Sequence, residues 1–183
     1  LAKAVFQSAF KELIDAAARR VVEIAGENNP PLNLLHALCQ SFGFTVAALA
    51  CVNCWGSTTL PNQRAFWSHP FEIDGEFGGV APVAQSFDAE DWGGAKFNPQ
   101  PRANTTIACV ATDATLTPAE AKRIAQMASA GLARAIRPVF APFDGDVVFA
   151  LSTGARETSE PRALTVARLG ALAADCLARA VAR

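Results

Sequence analysis

The first part of the chain shows the spacing of an amphipathic helix. Over residues 4–25, apolar side chains recur every three or four positions with charged ones between them. Gly26 and the proline-containing stretch 28–31 follow, and glycine favours a helix C-terminus whereas proline does not extend a helix. The pattern predicts a helix over 4–25 and a second, shorter helix over 32–40.

A buried strand and a long irregular segment come next. Residues 44–52 form a continuous apolar run rich in β-formers, which is typical of a strand covered on both faces. From 57 to 103 the chain is punctuated by proline and glycine and carries several aromatic side chains. A loop of this length is uncommon in a compact domain and usually has a function, while its aromatic residues indicate that much of it packs.

Strand and helix patterns alternate after this loop. Residues 105–112 and 146–152 have the composition of strands. Thr117 to Glu120 forms a capping box with proline at the first helical position, which predicts a helix from Pro118 to about Ile136. A last apolar-periodic stretch, 161–182, predicts a second helix. The alternation favours an α/β layered fold, with the strands in one or two central sheets and the helices covering a face.

Composition narrows the class of protein. The chain has 183 residues, of which 51% are hydrophobic and 18% charged, as expected for one folded domain over 1–183. The formal net charge is −1, which gives no basic field for a nucleic-acid partner. No apolar run approaches the length of a membrane span, and no secretory signal is recognisable at Leu1. We therefore expect a cytoplasmic protein.

The five cysteines do not suggest a disulfide scaffold or a metal centre. Their number is odd and they lie in apolar stretches, which favours free thiols in a reducing compartment. Cys51 and Cys54 spell C-x-x-C, but a zinc site needs a second pair of ligands, and the two histidines, His36 and His69, stand in unrelated contexts. We expect neither a metal nor a cofactor.

Candidate chemistry centres on Asn104 and Thr105. The long loop ends at Asn104, and a predicted strand begins at Thr105. The Asp144-Gly145-Asp146 turn lies at the start of the next predicted strand. From the residues alone, two interpretations stay open: an ordinary loop-to-strand transition with β-favouring threonines, or a nucleophile presented at a strand end. Thr106 is the weaker candidate, because successive side chains of a strand point to opposite faces.

The sequence resembles a known family, the DmpA-type aminopeptidases, also called the L-aminopeptidase/D-esterase family, which includes the nylon-oligomer hydrolases. The resemblance covers roughly residues 42–183, and residues 1–41 do not match the family's first half. It implies an αββα sandwich of which this chain holds part, and a homo-oligomer, for which the aromatic-rich loop 64–97 is a candidate contact surface. The matching stretches are GFTVAALACVNCWGS (43–57), NTTIACVATDATLTPAEAKRIAQMASAGLARAIRP (104–138) and PFDGDVVFALSTG (142–154).

The resemblance also implies a mechanism. Family members cut their own backbone before a serine or threonine, which here places the cleavage site between Asn104 and Thr105. Thr105 would become an N-terminal nucleophile whose own α-amine serves as base, because a free α-amine has a pKa of about 7.7–8.0. Residues 1–104 would form an α-chain-like part and residues 105–183 a β-chain-like part.

Three further residues receive roles from the resemblance. Asn53 would donate a hydrogen bond to the oxyanion, although an asparagine at a strand end also suits a turn. Asp144 and Asp146 would orient the Thr105 amine, although both also suit a glycine-centred turn with solvated carboxylates. We expect a hydrolase acting on short peptides, amino-acid amides or related oligomers. The alternatives are a truncated, catalytically inactive relative and a non-catalytic assembly or binding module.

Overall fold

A four-stranded sheet forms the centre of the described part of the chain. The computed structural model describes residues 34–41, 43–97 and 104–183, together with Glu12. Strands β1 to β3 pair antiparallel in chain order, and β4 pairs parallel with β3 at the end of the sheet. The predicted strands over 44–52, 105–112 and 146–152 are confirmed. The bounds are β1 (Leu34–Ser41), β2 (Phe44–Asn53), β3 (Thr105–Ala114) and β4 (Val147–Arg156).

Two helices cover one face of this sheet. Helix α1 spans Pro118–Ala135 and helix α2 spans Arg162–Ala182, close to the predicted bounds. At the start of α1, the Thr117 backbone N–H donates to the Glu120 carboxylate at 2.8 Å, and the Thr117 hydroxyl accepts from the Glu120 N–H at 3.3 Å. The capping box read from the sequence is therefore present, and it fixes where α1 leaves the loop after β3.

Small residues bring the helices close to each other and to the sheet. A side-chain carbon at Gly131 would lie 2.3 Å from the Ala174 carbonyl oxygen, so only glycine fits where α1 meets α2. The opposite face of the sheet has no such cover from the described residues, and the side chains of Ile107, Phe149 and Leu151 are 47%, 56% and 43% exposed. The buried core between helices and sheet includes Val46, Ala48, Ala50, Ala108, Val110, Ala128, Leu132, Leu169, Ala173 and Leu177.

The predicted helix over 32–40 is wrong, because Leu34–Ser41 is a strand. It forms a hairpin with β2, with Ser41 opposite Phe44 and Leu34 opposite Cys51. The turn contains Gly43 at φ +77°, a left-handed conformation that glycine adopts without strain. Pairing with β2 thus overrides the local helical spacing. The predicted helix over 4–25 lies outside the described residues except for Glu12, which is helical.

Over residues 54–97, the loop after β2 packs without regular secondary structure apart from a short 3₁₀ helix, His69–Phe71. An ion pair between Glu76 and Arg179 ties it to the end of α2, with the Arg179 Nε 2.5 Å from a Glu76 carboxylate oxygen and both side chains nearly buried. Aromatic residues of the loop contact one another edge to face, as in Phe66 with Phe77 and Trp67 with Phe87. The homo-oligomer and its contact surface over 64–97 stay predictions.

No helix among the described residues combines the length and the apolar character needed to cross a membrane.

Candidate active site

Strand register places Asn53 and Thr105 side by side. The two residues are directly opposite each other at the ends of β2 and β3. In an antiparallel pair, opposite residues share a face and their Cβ atoms lie about 4.5–5.5 Å apart. Thr106, the next residue, is fully buried toward the helices, so Thr105 and Asn53 lie on the other face of the sheet. The structure therefore brings these two predicted site residues together.

The turn before β4 flanks Thr105 on its other side. Asn104 bridges to Asp144 in parallel fashion, which puts Gly145 beside Thr105. The Gly145 backbone N–H donates to the Asn104 carbonyl oxygen at 3.2 Å. A side-chain carbon at Gly145 would lie 2.7 Å from the Thr105 hydroxyl oxygen. Glycine is therefore needed here because the threonine side chain occupies the space that a Cβ would take.

Two donors converge on the carbonyl group between Asn104 and Thr105. The Thr105 hydroxyl donates a hydrogen bond to the Asn104 carbonyl oxygen, as does the Gly145 N–H. Asn104 is fully buried, whereas Thr105 is half-buried. A carbonyl that accepts from two donors is polarised, and the hydroxyl beside it is the group that would attack its carbon. The arrangement thus pairs a candidate nucleophile with the bond predicted to break.

Asp146 holds backbone next to the candidate nucleophile. One of its carboxylate oxygens accepts from the Thr106 N–H at 2.7 Å and the other from the Phe140 N–H at 3.3 Å. These bonds fix the residue after Thr105 to the turn before β4. The predicted role of Asp146, orienting the Thr105 amine, stays a prediction, while its contacts show that it braces the strand end.

The carboxyl group of Asp144 is buried and has a pKa above its ordinary value. Both of its side-chain oxygens are buried. Burial, followed by the negative charge of Asp146, raises the pKa of Asp144, and the Trp55 backbone N–H and the Lys96 ammonium partly offset the rise. A carboxyl with a raised pKa beside a polarised carbonyl is suited to exchanging a proton. Its predicted role in orienting the Thr105 amine stays a prediction.

Lys96 is a site residue that the sequence analysis did not single out. It comes from the long loop, and its Nζ lies 2.5 Å from the Asn53 side-chain oxygen. The signal was present in the sequence, because Lys96 is the single lysine between 57 and 103, in a loop with many acidic residues. Nothing local predicts that the loop returns to the end of β2, since that return depends on tertiary packing.

The two cysteines of the C-x-x-C pair, Cys51 and Cys54, are buried free thiols. The Cys54 thiol donates to the Gly56 carbonyl at 3.1 Å, and burial raises its pKa to about 11, which disfavours the reactive thiolate. Cys51 is also a free thiol with a raised pKa, caused by burial. The described residues contain no group of three or more His, Cys, Asp or Glu side chains placed to hold a metal ion.

Comparison with known proteins identifies the family. The model of peptidase family S58 matches residues 34–183, which is most of the chain and includes every candidate site residue. The chain belongs to peptidase family S58. The resemblance seen in the sequence is confirmed, and residues 1–33 lie outside the match.

The S58 relatives are considerably longer than this chain. An uncharacterised aminopeptidase of Mycobacterium bovis is 45% identical over 152 aligned positions, which cover 76% of this chain and 43% of the relative. An uncharacterised aminopeptidase of Mycobacterium leprae is 52% identical over 87 positions, covering 43% and 24% of the two chains. The matched part of the chain thus covers less than half the length of these relatives.

A solved structure shows that the fold is shared. The PH0078 protein from Pyrococcus horikoshii superposes with a TM-score of 0.50 at 21% identity, covering 82% of this chain and 38% of that one. The described sheet and its two helices therefore match part of the fold of that longer protein. The α/β fold class predicted from the sequence is confirmed, and the described residues form one helix layer and one sheet layer.

The raised pKa of Asp144 gives this S58 chain a testable pH dependence. A carboxyl whose pKa is higher in the folded than in the unfolded chain disfavours folding once it is ionised. This penalty is absent below about pH 3.9, grows as the pH rises through the raised value, and is constant above it. We expect Asp144→Asn to raise the melting temperature at neutral pH, with the gain shrinking as the pH falls.

Thermal melts between pH 4 and 8 check this expectation. Asp88→Asn, in an exposed part of the loop, is the matched control, and its difference from the unmodified chain should not follow that trend. A lower melting temperature for Asp144→Asn at neutral pH would contradict the stated cause, because removing a penalised charge cannot destabilise through that charge.

Proposed function

We propose that this chain is a self-cleaving amide hydrolase whose nucleophile is an N-terminal threonine, Thr105. One observation carries the proposal: the Asn104 carbonyl oxygen accepts hydrogen bonds from both the Thr105 hydroxyl and the Gly145 N–H. An ordinary strand start needs neither a hydroxyl against the preceding carbonyl nor a glycine to make room for it. Family membership and the names of the aminopeptidase relatives support the same reaction class.

Self-cleavage follows from these contacts by acyl transfer. The Thr105 Oγ1 attacks the Asn104 carbonyl carbon, and the Gly145 N–H donates to the oxygen as it becomes negative. The C–N bond then breaks, the hydroxyl proton passes to the departing nitrogen, and an ester joins Asn104 to Thr105. Water opens this ester, which leaves a carboxylate on Asn104 and a free hydroxyl and α-amine on Thr105.

The freed Thr105 would then act on other amides. Its α-amine takes the proton from its own hydroxyl, which attacks the substrate carbonyl and forms an ester that water hydrolyses. Asn53, opposite Thr105 in the sheet, is the candidate side-chain donor to the oxyanion both in self-cleavage and in substrate hydrolysis. Asp144 and Asp146 would hold the amine and the strand end. The substrates are short peptides, amino-acid amides or related oligomers, with the N-terminal residue released.

Denaturing mass spectrometry of purified protein tests the proposal. We expect fragments of 104 and 79 residues, the second beginning at Thr105. The fragments should stay associated under native conditions, because β2 and β3 lie on opposite sides of the cut and pair with each other over 46–53 and 105–112.

An intact chain after prolonged incubation at neutral pH would overturn self-cleavage by this chain. It would favour the second candidate, a truncated and catalytically inactive relative that serves as a folded or assembly module. The observation behind this candidate is that the match covers 43% of the length of a relative that is 45% identical. A homo-oligomer and a cytoplasmic location remain part of the proposal under either outcome.

A further inference from the structure

Residues 92–97 fold back from the long loop onto the end of β2. The Lys96 backbone N–H donates to the Trp55 carbonyl at 2.9 Å. The rings of Trp92 and Phe97 meet the Trp55 ring edge to face, with centroids 5.3 and 6.1 Å away. Ala95, between them, is buried. These contacts lie before the bond at Asn104, so they hold the lysine in place whether or not that bond is intact.

The lysine side chain fixes one end of the Asn53 amide. Its Nζ lies 2.5 Å from the Asn53 Oδ1 and 3.4 Å from the Asn53 backbone oxygen. An ammonium group donates hydrogen bonds and accepts none, so the amide oxygen must be the atom that faces it. The NH₂ end of the amide is then the end turned away from Lys96.

We propose that Lys96 is a positioning residue that sets which end of the Asn53 amide serves the reaction at Thr105. This inference rests on the proposed self-cleavage. Asn53 is an exposed side chain at a strand end, where rotation by half a turn about its last torsion exchanges oxygen and NH₂. With the oxygen held by Lys96, the amide offers its donors, rather than a repelling oxygen, to the oxyanion formed beside Thr105.

An effect of Lys96 on Asp144 must be distinguished from its effect on Asn53. The Lys96 charge also lowers the pKa of Asp144, so the ammonium is near that carboxylate as well. Removing the lysine could therefore slow the reaction through Asp144 rather than through Asn53. A double-mutant cycle distinguishes the routes, because two residues that act through one contact have non-additive effects.

The experiment measures the first-order rate at which the 79-residue fragment appears, by denaturing mass spectrometry, in the full chain and its variants. Asn53→Ala should slow cleavage by about 10²–10³-fold if it removes an oxyanion donor. Lys96→Met should slow it by about 10-fold, since the amide then samples both orientations, and Lys96→Arg should recover part of the loss because it keeps a cationic donor. Lys96→Met should have no further effect in the Asn53→Ala background.

The control is Lys122→Met, which removes the exposed lysine on α1 and should leave the rate unchanged. A Lys96→Met variant that is cut at the unmodified rate, or that slows the Asn53→Ala chain by the same factor as the unmodified chain, overturns the inference while self-cleavage stands. An unmodified chain that yields no fragment overturns the proposed function, and the inference with it.

Discussion

Replacing Thr105 with alanine is expected to leave one uncut chain of 183 residues with no hydrolysis of amide substrates. The substitution removes the hydroxyl that contacts the Asn104 carbonyl and leaves no other group on that residue to form the ester. The loss of rate should exceed about 10³-fold, as expected when a covalent nucleophile is removed. Denaturing mass spectrometry after long incubation, and an aminoacyl-anilide assay, measure the two effects.

Two other substitutions show whether the effect belongs to this hydroxyl. Thr105→Ser keeps the hydroxyl and should retain part of both activities. Thr106→Val is the matched control: the Thr106 hydroxyl is buried and has no hydrogen-bond partner among the described residues, so a methyl group of similar shape should be tolerated there. Cleavage of Thr105→Ala into fragments of 104 and 79 residues would exclude Thr105 as the nucleophile.

Gly145→Ala is expected to slow self-cleavage by about 10²-fold or more while the chain still folds. The new Cβ would lie 2.7 Å from the Thr105 Oγ1, so the threonine side chain must rotate or move. Displacing a reacting group by about 1 Å is sufficient for a loss of this size. The backbone of Gly145 is not in the left-handed region, so alanine can adopt it, and the effect should appear in the rate rather than in the fold.

Gly94→Ala separates this contact from a general effect of adding a methyl group near the site. A Cβ at Gly94 would meet the Ser57 hydroxyl at 3.6 Å, an ordinary contact distance. Its cleavage rate should match that of the unmodified chain. Circular dichroism melts check that both variants fold. An unchanged cleavage rate for Gly145→Ala would mean that Thr105 does not react from its observed position.

Local signals in the sequence predicted most of the regular structure after residue 43. The capping box at Thr117 located the start of α1, and the continuous apolar run over 44–52 located β2. These features can be recognised in the sequence because each depends only on residues that are close neighbours along the chain. The hairpin of β1 with β2 was missed, since helical spacing over 32–40 was outweighed by pairing with a strand that the local pattern does not encode.

Some residues of the candidate site were likewise predicted from the sequence, and others were not. The resemblance supplied Thr105, Asn53 and the acidic pair, and the structure brings Thr105 beside Asn53 by strand register. The roles of Gly145 and Lys96 were not predicted, because each depends on a contact made across the fold: one is a space occupied by a threonine, the other a loop that returns to the end of a strand.

The bond between Asn104 and Thr105 lies in the chain between β2 and β3, so cutting it would change how folding depends on protein concentration. In the uncut chain, both strands belong to one molecule, and refolding is independent of concentration. Once Asn104 and Thr105 are separated, the sheet is built from two polypeptides, with β1 and β2 on one and β3 and β4 on the other. Unfolding of the cut protein then separates the two polypeptides, so dilution favours the unfolded, separated fragments. Each fragment would depend on the other to complete the sheet.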